Sequence, residues 1–264
     1  MTRETLPVVI LCGGQGTRMY GMGAARPKML VEVGEWPMLW HLMKIYAHYG
    51  HKRFILCLGY LGDQIRRYFL EYEVMHRDAT FRLGTPNGMR FHGHAGELDW
   101  EITFAETGVH TMTGARIRKI EPYIDTERFF ATYGDGLGDV DLDALLAYHK
   151  AKGALATITG VRPHSQWGFL EINEAGFVTG FEEKPRVREW VNGGFFVFER
   201  GVFEYLKGDD SLVLEREPFE RLARDGQLAV YRHDGFWRAM DTFKDVEEVD
   251  RLWRSENPPW KVWE

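Results

Sequence analysis

The chain has 264 residues, of which 44% are hydrophobic and 14% aromatic, and its 33 Lys and Arg against 39 Asp and Glu give a net charge of −6. A chain of this size and apolar content hides roughly 70–75% of its unfolded surface on folding, which excludes disorder as the main state. Its apolar runs, such as Leu6 to Cys12 and Phe54 to Leu58, fall well short of the ~18 residues a bilayer demands, so no membrane partner is expected. Scattered basic residues point away from nucleic acid. The start, Met1 to Thr5, runs into a strand pattern without a small-residue cleavage site, so no secretory signal is read and the cytoplasm is the expected location. Cys12 and Cys57 each sit inside an apolar run and read as reduced core thiols.

In chain order, Val8 to Cys12 reads as a buried strand that exits into a glycine-rich turn. A helix from about Trp36 to Tyr49, a strand Arg53 to Leu58 and a helix Asp63 to Tyr72 follow. Such βαβ alternation predicts a parallel sheet. The stretch from about 77 to 101, rich in Gly and His with short runs at Thr80 to Leu83 and Met89 to His92, predicts an inserted β-ribbon. The core resumes with strand Trp100 to Ala105, helix Ala115 to Ile124, strand Phe129 to Tyr133, helix Asp141 to Lys152 and strand Ala154 to Val161. Beyond 161 the pattern changes to short strands: Gly168 to Asn173 and Phe177 to Glu182 around a Glu174-Ala175-Gly176 turn, Gly193 to Phe198, and Leu228 to Arg232. A helix from Lys244 to Ser255 closes the chain. With no repeat or low-complexity linker, one body is expected over 1–264, with an α/β half to 161 and a β-rich lobe from 162.

The best single chemical signal is Gly13-Gly14-Gln15-Gly16-Thr17-Arg18 directly after the first strand. Glycines at a strand exit allow a tight turn that aims several N–H groups at one spot, where a phosphate would be held. It is neither a dinucleotide fingerprint, whose third glycine would fall at Met19, nor a Walker A loop. Arg18 and, ten residues on, Pro27-Lys28 place two cations near it, one planar and one a point charge.

The second signal is Tyr133-Gly134-Asp135-Gly136 at a strand end, where an open α/β sheet gathers ligands and where Asp135 could hold a cation. Mg²⁺ takes one or two carboxylates plus phosphate oxygens, so a second aspartate elsewhere would suffice. Asp139, Asp141 and Asp143 mimic the start of a calcium loop, but Ala144 and Lys150 stand where it needs glycine and glutamate, and Asp141 reads instead as a helix cap. His92-Gly93-His94 lacks zinc-ligand company. Glu182-Glu183-Lys184-Pro185 and Asn192-Gly193-Gly194 could reach a substrate phosphate and sugar hydroxyls. The tryptophan-rich end from Trp253 to Trp263 reads as packing or a subunit contact.

Taken in order, Gly-Gly-x-Gly-Thr-Arg, Pro-Lys, Tyr-Gly-Asp-Gly, Glu-Lys-Pro, Asn-Gly-Gly and the run from Trp237 to Thr242 resemble the sugar-1-phosphate nucleotidyltransferase family nearly end to end. Leu39 to Tyr46, Thr111-Met112-Thr113-Gly114-Ala115-Arg116, Asn192 to Phe198 and Pro259 to Trp263 are similar to its cytidylyl-transferring members. The chain departs from the family at Arg26-Pro27-Lys28-Met29, in the loop Tyr20 to Ala25, at Ala115 and at Glu106.

The resemblance implies a Rossmann-like mixed sheet flanked by helices, with nucleotide bound by the first half and sugar by the smaller lobe. It implies transfer of CMP from CTP to a sugar-1-phosphate, with α-D-glucose 1-phosphate the expected acceptor, Mg²⁺ as cofactor and an oligomer of identical chains. Leu11, Gly13, Gly14, Gly16, Thr17, Arg18, Lys28, Thr113, Gly114, Arg116, Gly134 and Asp135 would serve the nucleotide. Arg116 would pair with cytosine, whose O2 and N3 both accept. Tyr133, Gly168, Glu183, Lys184, Asn192 and Gly193 would serve the sugar phosphate, and Asp135 and Asp241 the metal, with Arg18, Lys28 and Lys184 as the catalytic cations. The alternatives are another phosphorylated acceptor, or a nucleotide-sensing relative without turnover.

Overall fold

The first strand, β1 (Val8–Leu11), is buried along its whole length, which a strand needs when helices cover both faces of its sheet. In the computed structural model, which describes residues 4–14, 26–85, 88–93 and 99–264, β1 pairs in parallel with β4 (Arg53–Leu58) on one side and β8 (Arg128–Tyr133) on the other. β7 (Glu101–Glu106) extends the parallel run beyond β4. On the far side β13 (Val191–Glu199) runs antiparallel to both β8 and β10 (Ala156–Val161), and β14 (Leu228–Arg232) lies parallel to β10. The result is a seven-stranded mixed sheet in the order β14-β10-β13-β8-β1-β4-β7.

Two-stranded pairs decorate it. β2 (Glu32–Val33) pairs with β3 (Trp36–Pro37), β9 (Gly136–Gly138) with β15 (Trp237–Ala239), β5 (Ala79–Phe81) with β6 (Met89–Phe91), and β11 (Phe169–Ile172) with β12 (Val178–Glu182). The expected ribbon within 77–101 is thus the β5–β6 hairpin; His94 lies outside the described residues. Of the short strands beyond 161, β13 and β14 belong to the main sheet, and β11–β12 stands apart from it.

Helix α1 (Met38–His48) begins two residues later than its apolar pattern predicts, because Trp36 and Pro37 pair with β2 and Pro37 becomes its N-cap. Its side chains are buried almost all round, so it must be covered on the side away from the sheet as well. The C-terminal tryptophans provide that cover. Trp260 is fully buried, Trp263 is nearly so, and with Trp253 of α7 (Phe243–Trp253) they enclose His41. The tail is core in its own chain.

The predicted 63–72 helix is α2 (Gly62–Leu70), followed by a short α3 (Tyr72–His76). The predicted 115–124 helix is α4 (Thr113–Lys119) and then a 3-10 turn, Glu121–Tyr123, where Pro122 cannot continue the hydrogen-bond ladder. In α5 (Leu142–Lys152), Asp141 accepts from Ala144 N at 2.9 Å as the N-cap, and Gly153 at φ +63° closes the helix. α6 (Glu217–Arg224) has no counterpart in the predicted elements. Cys12 and Cys57 are buried free thiols. Among the described residues no helix is long and apolar enough to cross a membrane.

His41 Nε2 donates to Val33 O at 2.9 Å inside the tryptophan enclosure, and burial pushes the imidazole pKa from 6.5 down to about 4. The folded chain keeps His41 neutral where the unfolded chain protonates it, so stability falls as pH drops from about 6.5 towards 4, by up to about 3 kcal/mol from this group. Urea unfolding across that window should show the loss. His41→Gln, which keeps a donor for Val33, should flatten the slope, and an unchanged slope would remove His41 as its source.

Candidate active site

The carboxyl ends of β1, β4 and β8 lie side by side, the place where an open α/β sheet gathers ligand groups. Asp135 follows β8 at once, through Gly134. The Gly134 N–H donates to Leu11 O at 3.2 Å, tying the two strand ends together. A Cβ on Gly134 would sit 2.1 Å from Met29 Sδ and 3.1 Å from Leu11 O, so any larger residue would have to push the Met29 side chain of the 3-10 turn Lys28–Leu30 aside.

Asp241 arrives from the far end of the chain. The β9–β15 pair sets Gly136 opposite Ala239, and the next rung is Met240 N donating to Asp135 O at 2.9 Å. Asp245 then accepts from Asp241 N at 3.2 Å and Thr242 N at 2.9 Å, completing a capping box at the start of α7. The two aspartates meet on one cation: Lys28 Nζ is 2.8 Å from Asp135 Oδ2 and 2.9 Å from Asp241 Oδ1. The lysine side chain is 10% exposed, whereas the carboxylates are 35% and 38% exposed. The ammonium lies inside and the acids face the opening.

Two hard oxygen donors aimed at one point are what Mg²⁺ asks of a protein that leaves its other positions to water and phosphate. Among the described residues no group of three or more His, Cys, Asp and Glu forms a closed metal cage. The donor set therefore suits a metal shared with a polyphosphate.

Arg116, on α4, is buried. Its Nη1 donates to Leu58 O at 3.0 Å and Thr107 Oγ1 at 2.5 Å, and its Nη2 to Gly13 O at 2.9 Å. The expected cytosine partner thus has both terminal nitrogens bonded to the ends of β1 and β4 and to the residue after β7. Burial lowers its pKa from the usual value. A Cβ on Gly13 would lie 2.1 Å from Nη1, so Gly13 is glycine for the sake of this guanidinium, while a Cβ on Gly14 would meet nothing within 4 Å. Gly16, Thr17 and Arg18 lie outside the described residues.

On the other flank, Tyr133, Asn192 and Gly193 come together. Asn192 Nδ2 donates to the Tyr133 hydroxyl at 2.9 Å, and Trp237 Nε1 donates to Gly193 O at 2.7 Å, linking β13 to β15, which ends two residues before Asp241. Burial raises the Tyr133 pKa well above its usual value, helped by the Glu215 carboxylate. Thr113 Oγ1 donates to that same carboxylate at 2.6 Å, and Gly114 packs against Leu212 and Leu214.

Gly168 and Glu183 approach each other at the base of the β11–β12 hairpin, where a Cβ on Gly168 would be 2.9 Å from Glu183 Oε2. Lys184 stands next to them at φ +48°, with Nζ 3.9 Å from Glu183. Thr107, Trp237 and Glu215 have no role in the sequence reading. Trp237 falls within a quoted motif, but Glu215 stands in the run Glu215-Arg216-Glu217, which carries no local signal.

Residues 7–256 match the model of the nucleotidyl transferase family. The probable glucose-1-phosphate cytidylyltransferase of Bacillus subtilis (strain 168) is 47% identical over 259 residues, covering 98% of this chain and all of the relative. The glucose-1-phosphate cytidylyltransferase of Salmonella typhi is 41% identical over 261 residues, again covering 98% of this chain and all of the relative. Among solved structures, HddC from Yersinia pseudotuberculosis aligns with a TM-score of 0.69 at 20% identity, over 95% of this chain and all of that one. At that identity the likeness concerns the fold alone.

The hydrogen bonds of Arg116 make it a strut between three strand ends. Arg116→Ala strands buried carbonyls and should cost on the order of 3 kcal/mol in urea unfolding, whereas Arg118→Ala, at a 3.5 Å ion pair with Asp210, should cost under about 1 kcal/mol. An Arg116 variant as stable as the parent would take the strut role away.

Proposed function

Because the chain belongs to the nucleotidyl transferase family, we propose that it transfers CMP from CTP to α-D-glucose 1-phosphate, releasing pyrophosphate and CDP-glucose. Relatives that are 41–47% identical over the full chain support the substrates. The observation that carries the chemistry is the meeting of Asp135 and Asp241 on Lys28 Nζ at 2.8 and 2.9 Å.

The sugar phosphate oxygen is already an anion. It attacks the α-phosphorus in line, one P–O bond forms, the bond to the bridging oxygen of pyrophosphate breaks, and no proton need be removed by a base. What the step needs is neutralisation and alignment of two polyanions. Lys28, fixed by two carboxylates, offers a positive point at the strand ends, Arg18 is assigned to the triphosphate, and Lys184 to the sugar phosphate beside Glu183, Asn192 and Gly193. Mg²⁺ held by Asp135 and Asp241 would supply charge stabilisation on the transferring phosphate. Arg116 serves the nucleotide side by fixing Gly13 at the head of the glycine-rich loop.

Copies of the chain associate, on this reading, through the β11–β12 hairpin. Cross-strand register puts Leu170, Ile172, Val178 and Phe181 on one face, each more than half exposed, and an isolated hairpin with such a face gains from being covered. Reduced, buried Cys12 and Cys57 support a cytoplasmic location.

Pyrophosphate release should be fast with Mg²⁺, glucose 1-phosphate and CTP, slow with UTP, dTTP, ATP or GTP, and abolished by EDTA. Asp135→Asn should cut kcat by at least about 100-fold; wild-type turnover in that variant would overturn the metal site. Release with CTP only after the acceptor is changed would reassign the sugar. Light scattering should give a mass above one chain, and Leu170→Ser with Phe181→Ser should lower it; a monomeric parent would dismiss the association.

A further inference from the structure

Between the two flanks of the site stands a carboxylate that the phosphoryl chemistry does not use. Glu215 precedes α6 and is exposed. One of its oxygens accepts from the Tyr133 hydroxyl, and the other accepts from Thr113 Oγ1 at 2.6 Å. Each of those hydroxyls is itself an acceptor: Tyr133 takes Asn192 Nδ2 at 2.9 Å, and Thr113 takes Leu214 N at 3.0 Å. Asn192 Oδ1 in turn accepts from Gly194 N at 2.9 Å.

A carboxylate oxygen can only accept and a backbone N–H can only donate, so Glu215 fixes the two hydroxyl protons, while Leu214 N and Gly194 N fix the outer ends of the chain. Both hydroxyl protons must point at Glu215. The Tyr133 oxygen is then left to receive the Asn192 Nδ2, the amide whose other end already accepts from Gly194 N. The ring of Tyr133 is held separately by packing, since a Cβ on Gly194 (φ +78°) would fall 2.4 Å from Tyr133 Cδ2. Loss of the carboxylate therefore releases both hydroxyl protons, and the Tyr133 proton can then turn against the Asn192 Nδ2 and weaken that bond, while the ring stays where it is.

We propose that Glu215 is a positioning residue that orients both substrate-binding flanks at once, the nucleotide flank through Thr113 at the start of α4 and the sugar-phosphate flank through Tyr133 and Asn192. The proposal rests on the substrate assignment made above. A glutamine cannot replace the acid, because its NH₂ must face one of two hydroxyls that already accept a bond, leaving that hydroxyl's proton undirected.

Steady-state kinetics on the full chain tests it. In Glu215→Ala the KM values for CTP and glucose 1-phosphate should rise together, each about tenfold, with kcat within about threefold of the parent. Tyr133→Phe, which spares the Thr113 arm, should raise the KM for glucose 1-phosphate alone. In the double variant that KM should equal the value in Glu215→Ala, because both changes cut one relay.

A KM change for only one substrate in Glu215→Ala, or for neither, or effects that multiply in the double variant, would overturn the proposal. A parent that releases no pyrophosphate would instead sink the substrate assignment. The relay is read without turnover by exchange of the Asn192 side-chain amide protons in ¹⁵N-labelled protein. Slow exchange in the parent and fast exchange in both single variants is the expected result, and equal exchange in all three rejects the relay.

Discussion

Two carboxylates that converge on one point repel each other unless a positive charge stands between them. Lys28 is that charge. It lies 107 positions from Asp135 and 213 from Asp241, so three stretches of chain must be delivered to a single point with little latitude. The glycine at 134, the short β9–β15 pair and the capping box at Thr242 each remove one freedom from that delivery: the first the gap above Met29, the second the offset between the two aspartates, the third the swing of the backbone at Asp241. None of these is large by itself. Together they convert a weak ion cluster into a fixed one, which matters because phosphoryl transfer rewards alignment more than affinity.

The sheet divides its labour between its two ends. At the carboxyl ends of the parallel strands stand the groups assigned to phosphate and sugar. Towards the opposite end of β8, Arg128 links Glu4 to Glu199 at 2.9 Å each, and buried His149 bonds both Thr157 and Glu199. That belt ties the start of the chain to β8, β10, β13 and α5, so stability is invested away from the opening. Arg116 belongs to the same logic from within the site: its donors go to main-chain carbonyls that the strand ends would otherwise leave unpaired, and the loop above it starts from a braced platform.

Much of this architecture is legible in the sequence, for a physical reason. β1 reads as an unbroken apolar run, β4 and β8 read as apolar runs behind a leading arginine, and Asp141 reads as the cap of α5. The boundaries that shifted did so where a short tertiary pairing overrode local pattern, as at Trp36 and Pro37. α6 carries little helix pattern in the sequence because Pro218 stands in its first turn and its charged residues outnumber Phe219 and Leu222, the two large apolar side chains it buries. Lys28 and Asp135 carry local signals, a cation beside a glycine-rich turn and a carboxylate at a strand end, whereas Asp241 follows only from the family resemblance. No spacing rule brings residues so far apart together, and the three-residue ladder that does so is too short to announce itself. Glu215 is the clearest case of information that only folding creates, since an exposed acid in a run of charges has no local mark that separates it from any solvated side chain.

Lys184 is one of two described non-glycine residues at positive φ, at +48°, with its carbonyl held by His164 Nδ1 at 3.1 Å. Holding an L-residue there costs about 1–2 kcal/mol. A glycine or an asparagine would relax the backbone and in the same stroke discard the ammonium at the foot of the hairpin. At this one position, durability of the fold and possession of the cation cannot both be maximised. The chain keeps the charge and carries the tension, so selection for heat resistance alone would erode the site here before it touched the core.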